Sequence, residues 1–139
     1  MSGAPAVEVV VGLIGDSSGR WLVNCRPKGR PLAGAWEFPG GKRLPGEAPL
    51  AALKRELDEE LGLEVLEAEP LLVLEHDYPD KRVRLDVWRV VSYRGRPTSR
   101  ERQPLRWVSV AECRDLPLLP ADAPIVARLG SLGASTEVL

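Results

Sequence analysis

Three glutamates, Glu56, Glu59 and Glu60, fall within five positions of the run Arg55-Glu-Leu-Asp-Glu-Glu-Leu61. On a helix, carboxylates three or four residues apart are neighbours, and each such pair costs about 0.2–0.5 kcal/mol. Two readings account for them: an ordinary solvated helix face, or a site in which a divalent cation offsets the repulsion. Hard cations such as Mg²⁺ take carboxylate and carbonyl oxygens, and Mg²⁺ keeps positions open for water and for phosphate groups. The chemistry indicated is that of a phosphate-handling metal site.

The elements that must position these residues are visible around them. Pro49 suits the first turn of a helix and Gly62 its C-terminal cap, which leaves roughly three to four turns between them. At about 100° per residue, Leu50, Leu53, Leu57 and Leu61 form one stripe that should pack on a sheet. Glu56, Glu59 and Glu60 form the sector beside it, with Lys54 and Asp58 turned toward solvent. Ala48 and Ala52 fall near the acidic sector, where small side chains would admit a ligand against the backbone.

Upstream, the β-branched run Val7 to Ile14 reads as a strand, Asp16-Ser-Ser-Gly19 as a turn, and Trp21 to Arg26 as the returning strand. Pro27 to Ala35 reads as a loop, and Trp36-Glu-Phe38 as a short extended piece held by Pro39. Downstream, strands are expected at about Leu71 to His76 and Arg82 to Ser92, joined by a turn at Tyr78-Pro-Asp-Lys81. Arg106 to Val110 reads as another strand, Ser109-Val-Ala-Glu112 has capping-box spacing, and Ala123 to Leu129 reads as a terminal helix. The expectation is one mixed α/β domain over residues 1–139, with a core of about 7–130, a flexible C-terminal tail, and a sheet of mixed or antiparallel strands packed by two or three helices.

Composition sets outer limits. The chain has 139 residues, 44% of them apolar and 28% charged, enough for one domain with its own core. A net charge of −1 gives no basic footprint for polymeric nucleic acid. Cys25 and Cys113 are too few and too far apart for a disulfide framework or thiolate cage, and read as packed thiols in a reducing compartment. The N-terminus has neither a basic leader nor a long apolar run, so a cytoplasmic location without membrane contact is expected.

The spacing around the glutamates is more specific than the glutamates alone. Gly41, five residues, Glu47, seven residues, Arg55-Glu56-Leu57, one residue, Glu59-Glu60, one residue, Gly62-Leu63 matches every fixed position of the Nudix box. The chain therefore resembles the Nudix hydrolase superfamily, whose members cleave nucleoside diphosphates linked to another moiety. The resemblance implies an α/β/α sandwich in which the box forms a loop–helix–loop, with Mg²⁺, or alternatively Mn²⁺, as cofactor.

Similarity to the MutT type, which hydrolyses 8-oxo-dGTP, covers most of residues 7–129. Trp36-Glu-Phe-Pro-Gly-Gly-Lys42 looks like its approach to the box, Tyr78-Pro-Asp80 like its second hairpin, and Leu119 to Leu129 like its C-terminal helix entrance. By that resemblance Gly40 offers a backbone carbonyl to metal, Glu56, Glu59 and Glu60 bind metal or activate water, and Arg55 orients a glutamate. Glu101 matches a further metal-binding glutamate, and reads equally as a solvated loop residue. Arg26 matches a substrate-contacting arginine, while Glu37, Phe38 and Pro39 match the nucleotide pocket. Arg26, with Arg100 or Arg102, would hold phosphates. The implied reaction is attack of water on the β-phosphorus of a nucleoside triphosphate, releasing a monophosphate and pyrophosphate, in the service of nucleotide-pool sanitation.

Two positions depart from MutT. Asp122 stands where MutT has an asparagine that meets the oxidised purine, and Pro31 replaces a substrate-contacting histidine. An ionised carboxylate only accepts hydrogen bonds, whereas an amide also donates; a buried, protonated Asp122 would regain a donor. Asp122 also reads as a helix N-cap ahead of Ala123-Pro124. Other readings therefore stand beside the oxidised purine: CTP, a modified pyrimidine triphosphate or a dinucleotide as substrate, or a non-catalytic nucleotide-binding module. Nothing distinguishes a monomer from a homodimer. His76 reads as structural, and Trp21, Trp36, Trp88 and Trp107 as core, with Trp36 near enough to the pocket segment to stack on a base.

Overall fold

The computed structural model describes residues 5–139. The N-terminal reading rests in part on residues 1–4, outside the described residues. The elements run β1 (Val7–Leu13), β2 (Arg20–Cys25), β3 (Trp36–Glu37), β4 (Gly40–Lys42), α1 (Pro49–Leu61), β5 (Glu64–Tyr78), β6 (Lys81–Arg94), β7 (Leu105–Ser109), α2 (Val110–Asp115), a 3₁₀ turn (Ala123–Ile125), α3 (Val126–Leu129) and β8 (Thr136–Val138).

Two sheets form. The larger is mixed, ordered β4-β1-β6-β5, with β8 also on β6; the smaller, antiparallel, is ordered β3-β2-β7. In the larger sheet β1 runs parallel to β6 with Val7 opposite Val83 and Leu13 opposite Arg89, while β4 and β5 run antiparallel to their neighbours. Alternation along β1 divides its side chains between two cores. Val10 and Ile14 pack under α1 with Leu53, Leu57 and Leu61, and Val11 and Leu13 pack on the opposite face with Ile125, Val126 and Leu129. This helix–sheet–helix layering is the α/β/α arrangement expected.

Local signals account for several boundaries. Asp16 Oδ1 accepts from the N–H groups of Ser18 and Arg20, both at 2.9 Å, and closes the β1–β2 turn. Pro49 opens α1, and Gly62 ends it at φ 69°, its N–H bonded to the Asp58 carbonyl. The capping box is present: Glu112 N–H donates to Ser109 Oγ, and Ser109 N–H donates to Glu112 Oε1.

Four expectations need correction. Strand β5 is 15 residues long and begins at Glu64, well before Leu71, while β6, 14 residues long, runs two residues past Ser92 to Arg94. The early part of β5 lies on the sheet edge and is fastened to the end of β6 by Arg89–Glu69 and Arg94–Glu64 pairs at 2.8 Å; Pro70 is tolerated because it lies on this edge strand beside a register shift. Ala52 is fully buried in the α1 core, so the small side chain serves close helix–sheet packing and leaves no room for a ligand. The tail expected to be flexible carries β8, which pairs in parallel with Ser92–Arg94. Residues Ala123 to Leu129 divide into a 3₁₀ turn and a single α turn, and Asp122, although at the N-cap position, makes no side-chain cap bond.

The four tryptophans pack as core residues: Trp21 is buried, Trp36 rests on the α3-side core, and Trp88 and Trp107 rest on the α1-side core. His76 meets Tyr78 edge to face at 4.5 Å, in keeping with its structural reading. Cys113 is buried and Cys25 partly so, and both are free thiols. No described helix is long and apolar enough to cross a membrane.

Candidate active site

A cavity of about 720 Å³ opens beside β1, β4 and β6. Its apolar wall is Val9, Val11, Val83, Leu85 and Phe38, and its acidic end is Glu56, Glu59, Glu60 and Glu101. Arg26, Glu37, Gly40 and Asp122 also line it. The fold thus brings together residues from seven separate stretches of sequence.

Arg55 organises the acidic end from behind. Its Nε and Nη2 reach the two oxygens of Glu47 at 2.8 and 2.9 Å, Nη2 also donates to the Lys42 carbonyl at 3.0 Å, and Nη1 donates to Glu56 Oε1 at 3.0 Å and to Glu59 at 3.3 Å. Every face of the fork is used, which fixes the guanidinium and through it Glu56. Glu47 also accepts from the Leu44 N–H, and its carboxyl is held at about 2, chiefly by the bond from Arg55. Gly41 completes the arrangement: a Cβ there would collide with the Glu56 carboxylate. At Gly40 a Cβ would instead run into the Val10 carbonyl across the β1–β4 pairing, which explains a strand made of glycines that local propensity disfavours.

Charge accumulates at the same end. Burial raises the Glu56 carboxyl, against the pull of Arg55. Glu60 is pushed up to about 8, first by burial and then by the charges of Glu56, Glu37 and Glu101, with a backbone bond at Gly40 acting the other way. Its Oε2 is buried without a partner. A carboxyl held in this way keeps its proton at neutral pH unless a cation takes the proton's place. Among the described residues no three acidic side chains form a ready-made cation cage. The donor set nevertheless fits a hard divalent ion: carboxylates, one with an orphaned oxygen, beside the Gly40 backbone.

At the other end, Asp122 is 3% exposed, and its Oδ2 accepts from the Phe38 N–H at 2.9 Å. Burial, then the nearby Glu37 charge, raise its carboxyl to about 7 against the Phe38 bond and Arg26. Arg26 pairs with Glu37 at 3.1 Å and donates to the Pro31 carbonyl at 2.8 Å, so its charge is already partnered. Pro31 itself lines the cavity.

Not every expected residue reaches the cavity. Pro39 does not line it; its carbonyl accepts from Gly12 N–H at 2.9 Å and serves the strand packing. Trp36, Arg100 and Arg102 do not line it either, and the Arg100 guanidinium lies against Gly62. Conversely, Arg30, Lys42 and Lys81 bring cationic side chains to the wall, and the Tyr78 hydroxyl accepts from the Ala121 N–H at 3.2 Å to join the hairpin to the floor. Glu47 had a sequence signal, its fixed spacing from Arg55; Lys42 and Tyr78 had only their places in segments that resemble MutT, and Lys81 only its place in the expected turn.

An acidic pocket end joined to an apolar wall of this size suits a ligand held at one end through a divalent cation and flat or apolar at the other. The family model for the NUDIX domain matches residues 10–128. The CTP pyrophosphohydrolase of Escherichia coli K12 is 36% identical over 93% of this chain and 95% of its own length. The 8-oxo-dGTP diphosphatase of the same strain is 32% identical over 91% of this chain and 98% of its own. The solution structure of the E. coli ORF135 protein superposes with a TM-score of 0.81 at 35% identity, covering 95% of this chain and 94% of that one. The chain belongs to the Nudix family, and it is a hydrolase. Nudix hydrolases generally depend on a divalent metal.

Proposed function

We propose that this enzyme hydrolyses a nucleoside triphosphate to the monophosphate and pyrophosphate, with 8-oxo-dGTP as its substrate and Mg²⁺, or Mn²⁺ in its place, as its metal. The observation that carries the reading is the pairing, in one cavity, of an acidic end containing the orphaned Glu60 Oε2 with the buried Asp122 at the opposite end. A work site in the cytoplasm and a role in mutation avoidance follow from that substrate. The oligomer is a monomer or homodimer, and neither polymeric nucleic acid nor a membrane is a partner.

Glu56, Glu59, Glu60, Glu101 and the Gly40 carbonyl would hold the metal. When bound, a divalent cation neutralises phosphate charge and activates water for attack. The protein's share is positioning and electrostatics. Arg55 holds Glu56 in place, and the Arg26–Glu37 pair, Arg30, Lys42 and Lys81 face the incoming triphosphate. Val9, Val11 and Phe38 supply an apolar wall for the base. Asp122 keeps its proton up to about neutral pH, so one oxygen accepts from Phe38 while the other can donate as an amide would.

Asp122 also supports a second reading. Ionised, it accepts from an exocyclic amino group such as that of cytosine, in line with the name of the CTP pyrophosphohydrolase relative. With Mg²⁺, pyrophosphate release is measured from 8-oxo-dGTP, dGTP, CTP and dCTP, and AMP release from ADP-ribose. A preference for 8-oxo-dGTP over dGTP of about a hundredfold in kcat/KM, roughly 2.7 kcal/mol, is expected. A CTP or dCTP preference selects the second reading, and no turnover of any triphosphate sinks both.

A further inference from the structure

The last turn of α1 ends in carbonyls that the helix itself cannot satisfy. The loop 98–103 satisfies them: Thr98 N–H donates to the Leu61 carbonyl and Arg100 N–H to the Glu60 carbonyl, both at 3.0 Å. The last residue of this loop is Gln103, 4% exposed, one of few buried polar side chains among the described residues. Its Oε1 accepts from the Ser99 hydroxyl at 2.9 Å and from the Glu101 N–H at 3.1 Å, while its Nε2 donates to the Glu60 carbonyl at 3.4 Å. Arg102 adopts a left-handed backbone, φ 62°, and reverses the chain between Glu101 and Gln103. That reversal lets a side chain two residues further on bond the amide of Glu101.

The chemistry of this position is narrow. It asks for an acceptor on one side, facing two donors, and a donor on the other, facing a carbonyl; a neutral amide supplies both, whereas a carboxylate supplies only acceptors. Gln103, Glu60 and Glu101 also line a small cavity of about 130 Å³ together with Asn24 and Glu37. Asn24 Oδ1 and Glu60 Oε2 are both buried without partners. Gln103 therefore ties the backbone of the helix glutamate to the backbone of the loop glutamate at the place where their side chains meet a common space.

We propose that Gln103 is a positioning residue that sets Glu101 against Glu60, so that the loop delivers its carboxylate to the cation site built on α1. The proposal rests on the reading of Glu101 as a metal-holding group. Gln103→Met keeps the length of the side chain and removes its hydrogen bonds. In the nucleotide-free protein the Glu101 amide should exchange with solvent about tenfold faster or more. Mn²⁺ affinity of the same protein, measured by paramagnetic resonance, should fall several-fold. Turnover should drop about tenfold and the Mg²⁺ concentration for half-maximal rate should rise, with KM for the nucleotide within about twofold.

Introduced into Glu101→Gln protein, Gln103→Met should change turnover by less than about twofold, because its effect passes through Glu101. Equal losses in the two backgrounds, or an unchanged Glu101 exchange rate, overturn the proposal. A loss in Glu101→Gln that Gln103→Met does not share overturns this proposal alone; a Glu101→Gln protein with normal turnover and Mn²⁺ affinity overturns it together with the reading of Glu101. Gln103→Asn, still an amide but one methylene too short to span both partners, carries the same comparison if the methionine variant does not fold.

Discussion

Asp122 accepts a hydrogen bond from the backbone N–H of Phe38, 84 positions earlier in the chain, and this contact joins the segment leading into the catalytic helix to the one leading into α3. The bond offers one N–H to a carboxyl that burial and Glu37 hold at about 7. Arg26 lies near enough to lower it, and Tyr78 senses its charge. Because the folded group titrates above its ordinary 3.8, the folded state carries no ionisation cost below that value. Stability falls as the pH rises from 3.8 to about 7, and the full cost, roughly 4 kcal/mol at most, persists above it. Asp122→Asn keeps the acceptor for Phe38 and does not ionise. Its stability advantage in urea unfolding should grow by roughly 2 kcal/mol between pH 5.5 and 8.5; a constant difference would show that Asp122 is already ionised at the lower pH.

Arg55 makes its contacts with Glu47, Glu56, Glu59 and the Lys42 carbonyl through a planar fork. Lysine cannot reproduce that geometry. Arg55→Lys should lower kcat by about a hundredfold and Glu47→Gln by about tenfold, with nucleotide KM little changed. A rise in KM alone would place Arg55 in substrate binding rather than in orienting Glu56.

Glu60→Gln replaces a buried carboxyl, pushed up to about 8, whose second oxygen has no partner. Turnover should fall by about three orders of magnitude, while the melting temperature should hold or rise because the amide has no charge to desolvate. A near-normal rate in this variant would sink the assignment of Glu60 to the metal.

The two adjacent glycines of β4 should separate folding from function. Gly40→Ala puts a methyl against the Val10 backbone and should cost about 3 kcal/mol or more of stability. Gly41→Ala first meets the Glu56 side chain, whose carboxylate can move away. It should remain folded by circular dichroism and melt within a few degrees of the parent, yet lose about a hundredfold in kcat.

Legibility followed the range of the forces involved. The start and end of α1, its leucine stripe and the capping box at Ser109 rest on contacts a few residues apart, and the sequence displays them. The spacing of Glu47 from Arg55 was equally visible, though its meaning, a two-point clamp, required the loop to fold back. Strand β4 was hidden because its glycines are chosen for what lies across the sheet, Val10 on one side and Glu56 on the other. Pro39 lies within the segment that resembles the nucleotide pocket, yet its carbonyl is taken by Gly12. Gln103 gave no pattern: a glutamine in a charged loop reads as solvated until the loop is seen clamped on a helix end. The raised carboxyls of Glu60 and Asp122 were likewise set by burial, which only the folded chain supplies.

The parallel pairing of β1 with β6 sets an order of events during synthesis. Residues 7–13 emerge early, but their central partner, residues 83–89, is made only after α1 and all of β5. Until then the valines of β1 have one neighbour, the three-residue β4, and an open edge rich in β-branched side chains. A nascent chain arrested between residues 42 and 83 would therefore offer an aggregation-prone strand to its neighbours or to chaperones. Ribosome pausing after Arg89 should favour correct folding, and pausing before Lys81 should not.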